Sequence, residues 1–260
     1  MLFNEFGKKE NPPVLLLHGM MQDWHSEYNF LKSLEEHYRL IIPAQDGFYE
    51  GSKDFTSFAD QSRQIEEYII EKYNGKIFGA YGASQGGLML TELLTRNKVD
   101  LGVVIMDGCY VAHQGKLSGK VTAWMFKKYK NTGKFPVFIH IMMKLCGLKA
   151  EDMGMMDYLY MNASDETINR NFIENYTYRT RPEIAENETM VHLWCGSKEP
   201  YALKSHRELK KYLKNYKEEI MEGLGHGDFL MKHSEECCEK IRKTLTANKK
   251  QLIQNQEARQ

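Results

Sequence analysis

Ser84 stands in the run Gly82-Ala83-Ser84-Gln85-Gly86-Gly87, between an apolar stretch, Ile77 to Tyr81, and a helix-like one, Leu88 to Leu94. A serine on such a strand-to-helix turn takes a crowded backbone conformation. Very small residues are then needed two positions before and two after it, and Gly82 and Gly86 occupy those places. A hydroxyl held there can attack a carbonyl carbon if a base removes its proton. His226, in Gly223-Leu224-Gly225-His226-Gly227, is the candidate base, the one histidine of nine on a glycine-flanked turn after a late strand signal. The imidazole gains positive charge during attack, and a carboxylate on its far nitrogen would fix the tautomer and stabilise that charge. Glu199, in Gly196-Ser197-Lys198-Glu199-Pro200, is the favoured acid by its loop position, and Asp107, directly after the Val103 to Met106 strand, is the alternative.

The elements that must position these groups are legible as hydrophobic runs. Strand signals lie at Val14 to Leu17, Arg39 to Ile42, Ile77 to Tyr81, Leu101 to Met106, Met190 to Cys195 and Glu218 to Met221. Helix-length periodic segments separate most of them, such as Thr56 to Lys72 with Phe58, Ile65, Tyr68 and Ile69 at helical spacing. That alternation predicts an α/β fold with a mostly parallel central sheet flanked by helices. The first strand signal runs into His18-Gly19-Met20-Met21, a turn whose backbone NH groups can face a ligand. Asp46 to Ser52, after the second, is read as a structural loop.

Between Cys109 and Asn187 the alternation stops, and the interval is too long for a connecting loop. A helical insert is expected over 109–187, with helices at Val121 to Tyr129, Phe135 to Cys146, Met153 to Met161 and Asp165 to Tyr176, the last capped by Ser164. Met125, Met142, Met143, Met153, Met155, Met156 and Met161 fall inside it; thioethers either fill the insert's own small core or offer a surface that repacks around variable apolar groups. Residues 1–108 and 188–247 form the expected core, and 248–260 a polar C-terminal tail.

In the order Ser, Glu, His, with a His-Gly turn upstream, these motifs resemble the α/β-hydrolase superfamily over about residues 3 to 240. The resemblance implies an α/β-hydrolase fold with a helical lid inserted at 109–187, and a triad of Ser84, Glu199 and His226. It also implies an oxyanion hole made by the backbone NH groups of Met20 and Gln85, with His18 bracing its loop. Trp24 and His25 either line the pocket mouth or pack at a helix start. The activity implied is that of a serine hydrolase acting on a small-molecule ester, a carboxylesterase by preference. A serine-dependent carbon-carbon hydrolase and a noncatalytic binder of the same fold are the alternatives. Dehalogenase and epoxide-opening relatives use an aspartate nucleophile, which Ser84 argues against.

Composition narrows the partners. Lys+Arg and Asp+Glu balance at 35 each, so no nucleic-acid partner is expected. No run reaches the apolar length that spans a bilayer, and the first residues lack the pattern of a secretory signal, so a cytoplasmic location is expected. The five cysteines and the remaining histidines show no metal-ligand spacing, and G-x-G-x-x-G is absent, so neither a metal nor a cofactor is expected. Oligomeric state is not legible from the residues.

Overall fold

The computed structural model describes residues 1–20, 22–132 and 163–257. Its strands are β1 (Leu2–Phe6), β2 (Pro13–Leu17), β3 (Arg39–Ala44), β4 (Gly79–Ala83), β5 (Val103–Asp107), β6 (Met190–Gly196) and β7 (Tyr216–Met221). They form one seven-stranded sheet in the order β1-β3-β2-β4-β5-β6-β7. Every neighbouring pair is parallel except β1 with β3. β1, laid antiparallel on β3, closes one edge of the sheet. β4 and β5 start two residues later than their apolar runs, because Gly102, at φ +65, turns the chain before β5, and the amides of Ile77 and Phe78 are spent on Asp100 and Pro13 carbonyls.

Two apolar layers cover the sheet, and the strand period of two decides which residue enters which. From β2, Leu15 and Leu17 point into the layer holding Ile65, Ile69, Leu90 and Leu93. Val14 and Leu16 point into the other, with Leu31, Trp194, Ile241 and Leu245. The helices supplying these layers are α1 (Trp24–Leu31), α2 (Phe58–Tyr73) and α3 (Gln85–Arg96) early in the chain, then α6 (Pro200–Leu209), α7 (Asp228–Lys232) and α8 (Ser234–Glu257). Asp23 and Ser57 cap α1 and α2 by accepting the amides of Ser26 and Asp60. Helix α8 runs on through Glu257, so residue 248 is no element boundary; Lys249, Lys250, Gln251 and Leu252 are all good helix formers.

Between β5 and β6 lie α4 (Lys116–Thr132) and α5 (Asp165–Thr177), the latter capped by Ser164 accepting the Thr167 amide. They contact each other through stacked Phe126 and Phe172, ring centroids 4.7 Å apart. Helix α4 starts five residues before the expected Val121, because Lys116 to Lys120, with only Leu117 apolar and that exposed, continue the helix without a periodic apolar signal. The expected helices Phe135 to Cys146 and Met153 to Met161, and every insert methionine except Met125, lie outside the described residues. Met125 itself is buried.

Chain progression reverses direction at β2: β3 lies on one side of it, and β4 to β7 follow on the other. In open α/β sheets, ligands bind beyond the carboxyl ends of the strands at such a switch point. Among the described residues no helix is long and apolar enough to cross a membrane.

The junction of β2, β4 and α3 leaves no room for a side chain at Gly86, where a Cβ would sit 2.0 Å from the Leu17 carbonyl oxygen. Gly86→Ala is expected to cost stability at or beyond the upper end of ~1–3 kcal/mol for overpacking. An unchanged denaturant midpoint in that variant would contradict the close approach.

Candidate active site

Strand β4 ends at Ala83 and α3 begins at Gln85, leaving Ser84 alone in the bend at φ 50 and ψ −109. Such a conformation in a non-glycine residue costs on the order of 1–3 kcal/mol and persists only where the surroundings enforce it. Two constraints do so here. The Ser84 amide donates to the Asp107 carbonyl at 2.7 Å, and a Cβ at Gly82 would lie 2.5 Å from the Gly86 carbonyl carbon, a contact only glycine avoids.

Two loops from the far side of the sheet reach this serine. His226 lies between β7 and α7, and its Nε2 is 3.0 Å from Ser84 Oγ. Its Nδ1 is 2.6 Å from Glu199 Oε2. Glu199 ends the β6 loop as the residue before α6, is 2% exposed, and accepts the Gly196 amide on its other oxygen at 2.6 Å. An ionised carboxylate only accepts, so Nδ1 carries the proton and Nε2 is left to accept from the serine hydroxyl. Burial pulls the imidazole pKa down, yet the hydrogen bond and charge of Glu199, helped by Asp107 and Asp228, outweigh it, and the net shift is upward.

Two residues that sequence reasoning missed hold this pair in place. Tyr110 stacks on the imidazole with centroids 4.6 Å apart. Gly108, at φ +59, lies so near that a Cβ would be 2.8 Å from Glu199 Oε2 and 3.2 Å from His226 Nδ1. The signal available was a glycine and an aromatic just past a strand end, which is too common to single out.

The His18-Gly19-Met20 turn borders the serine from β2: a Cβ at Gly19 would lie 3.4 Å from Ser84 Cβ. His18 is buried with Nδ1 3.0 Å from the Gly19 carbonyl, and burial lowers its pKa, so it is a neutral brace. Among the described residues, neither the Met20 nor the Gln85 amide is bonded to another backbone carbonyl or side chain. Trp24 and His25 stack on each other at 3.5 Å at the start of α1, with His25 bonded to the Asp23 cap. Asp46 is tied to Gln64 at 2.8 Å and has no bond to Ser84, Glu199 or His226. Among the described residues no group of three or more His, Cys, Asp or Glu is arranged to hold a metal ion.

A family model described as the alpha/beta hydrolase fold matches residues 12–108 of the chain. An alpha/beta hydrolase family protein of Desulfitobacterium hafniense superposes with a TM-score of 0.79 at 19% identity, over 94% of this chain and 100% of that one. The chain has the α/β-hydrolase fold. MenH from S. aureus is similar at a TM-score of 0.76 and 14% identity, covering 95% of this chain and 98% of its own. An esterase from Exiguobacterium antarcticum gives 0.75 and 17%, covering 94% of each. No curated protein matches the chain by sequence.

Within this α/β-hydrolase fold, Asp107 lies beside the imidazole–carboxylate pair and not in line with it. Its carboxyl accepts the Tyr81 hydroxyl at 2.9 Å, and Glu199, not Asp107, is hydrogen-bonded to the imidazole. Burial and the charge of Glu199 push Asp107 up to about 7, against the pull of Tyr81 and His226. Glu27 on α1 is fully buried with both oxygens unbonded among the described residues, and burial with the charge of Asp107 pushes it up to about 8. A carboxyl raised from 4.5 to about 8 by folding binds its proton more tightly in the native state, so stability falls as pH climbs through that window. Glu27→Gln removes this titration. The melting temperature of the wild type is expected to drop between pH 5 and pH 8 by a few degrees (roughly 3–6 °C) more than that of the variant. Parallel profiles would show that Glu27 is not a buried titrating group.

Proposed function

We propose that the chain is a serine hydrolase that cleaves small to medium, largely apolar carboxylic esters through an acyl-enzyme on Ser84. The observation that carries this reading is the continuous line Ser84 Oγ, His226, Glu199, at 3.0 Å and 2.6 Å. The similarity to an esterase supports the same class of chemistry.

In this mechanism His226 Nε2 takes the hydroxyl proton as Ser84 Oγ attacks the ester carbonyl carbon. The imidazolium that forms is stabilised by Glu199, whose own position is fixed by the Gly196 amide. Negative charge moves to the carbonyl oxygen, where the amides of Met20 and Gln85 are the proposed donors; the Gln85 amide, first in α3, also has the helix N-terminus behind it. The intermediate collapses, the alkoxide leaves with the proton from Nε2, and Ser84 remains acylated. Water, deprotonated by the same nitrogen, then releases the acid and restores the hydroxyl. The insert at 109–187 is proposed as the lid over this rim, bounding an acyl site with its apolar side chains.

Ser84→Ala is expected to reduce kcat on p-nitrophenyl esters by roughly four powers of ten or more, while far-UV circular dichroism is unchanged. Wild-type turnover in that variant would refute the reading. Because the base must be neutral and its pKa lies above 6.5, kcat/KM is expected to rise with pH through an inflection above that value. Glu199→Gln should move the inflection to lower pH and cost far more activity than Asp107→Asn. The opposite ranking would give the acid role to Asp107.

A further inference from the structure

Helix α5 places Thr167, Asn171 and Asn175 one turn apart, and hence on one face. Both ends of that face are anchored. Thr167 Oγ1 accepts the Phe55 amide at 3.0 Å. At the other end Asn175 Nδ2 donates to Gln85 Oε1 at 3.5 Å, and Gln85 Nε2 donates in turn to Gln45 Oε1 at 3.3 Å. Gln85 adjoins Ser84 and Gln45 directly follows β3, so this chain of amides runs along the carboxyl rim of the sheet where the serine stands.

Asn171 lies between the anchored ends, 1% exposed, with neither Oδ1 nor Nδ2 bonded among the described residues. Gln45, at 0% exposed, leaves its Nε2 unbonded as well. Buried amides without partners are disfavoured, and an apolar side chain of the same shape, such as leucine, would avoid that cost at Asn171. The unmet groups are two NH2 donors and one carbonyl acceptor, and among the described residues no cationic side chain is bonded to any of the amides. Their complement is a neutral group that both accepts and donates.

We propose that Asn171 and Gln45, held by Asn175 and Gln85, form a specificity site for a neutral hydrogen-bonding group, an amide or a hydroxyl, on the acyl part of the substrate. The inference rests on the esterase reading, since acylation of Ser84 is what brings the acyl group beside Gln85. It narrows the substrate class from plain apolar esters to those whose acyl chain carries one neutral polar group. Asn171 touches that group and no reacting atom, so it sets specificity and takes no part in bond making.

The test compares esters matched in length: p-nitrophenyl N-acetylglycinate against pentanoate, and p-nitrophenyl acetamidobutyrate against heptanoate. The wild type is expected to favour the acetamido member of at least one pair by about tenfold in kcat/KM, the scale of a hydrogen bond made to a buried partner. In Asn171→Leu that ratio should fall to about one, through the KM of the acetamido ester, a change that a purely structural amide would not produce. If this variant does not fold, Gln45→Leu carries the same ratio test. A wild-type ratio near one, or a ratio preserved in the folded variant, overturns the specificity site while turnover of the apolar esters leaves the esterase reading standing. Hydrolysis of none of the four esters overturns both.

Discussion

A single residue held at φ 50 between β4 and α3 decides where the polar rim of this sheet comes together. The bend cannot be relaxed independently of its neighbours. Gly82 and Gly86 must pass each other without side chains, Gly86 must lie against the Leu17 carbonyl, and the Ser84 amide must reach Asp107 on the adjoining strand. Three parallel strands, β2, β4 and β5, therefore share one constraint, and each sends its next loop to the same rim. The turn after β2 brings Gly19 and Met20, the one after β5 brings Gly108 and Tyr110, and Ser84 stands between them. Strain of this kind is stored only where a packed scaffold over-determines it, which is what a two-layered core on both faces of a parallel sheet supplies.

Charge is handled at the rim by pairing and beneath it by neutralisation. Glu199 is almost wholly buried, but one of its oxygens takes a backbone amide and the other an imidazole NH, so an ionised carboxylate there keeps its hydrogen bonds. Among the described residues the Asp107 carboxyl has only the Tyr81 hydroxyl, and the Glu27 carboxyl has no hydrogen bond. Burial and neighbouring negative charge push Asp107 up to about 7 and Glu27 up to about 8, whereas the hydrogen bond and charge of Glu199 raise His226. This difference in pairing separates carboxyls that share one small, dry region.

Legibility in the sequence follows the same physics. Most strands were readable because parallel strands covered on both faces are continuous apolar runs, and the turns because glycines flank Ser84 and His226 and Gly196 precedes Glu199. The starts of β4 and β5 were not, since Ile77 and Leu101 are apolar enough for a strand while their backbones lie just outside β4 and β5. Glu199 and Asp107 both stood at strand ends, and only the path of the β6 loop distinguishes the carboxyl that meets the imidazole from the one that meets Tyr81. Gly108, Tyr110 and Glu27 act through residues distant in the chain, so nothing in their local pattern marks them.

The insert is joined to the core through the site and not only through its two chain connections. Glu174 on α5 accepts the Phe58 amide at the start of α2, at 3.0 Å and 3.1 Å, doing for that helix what a local cap does elsewhere. Just beyond α5, Tyr178 and Arg181 hold Glu92 of α3 at 3.2 Å and 2.9 Å. Helix α5 thus reaches the amino end of α2, the side chain next to Ser84, and the middle of α3. An element bonded at so many points to the helices around Ser84 is tied to their positions. Burial of unbonded amides on its inward face is then affordable in one sense alone: the surrounding bonds hold the backbone in place whether or not those amides find partners.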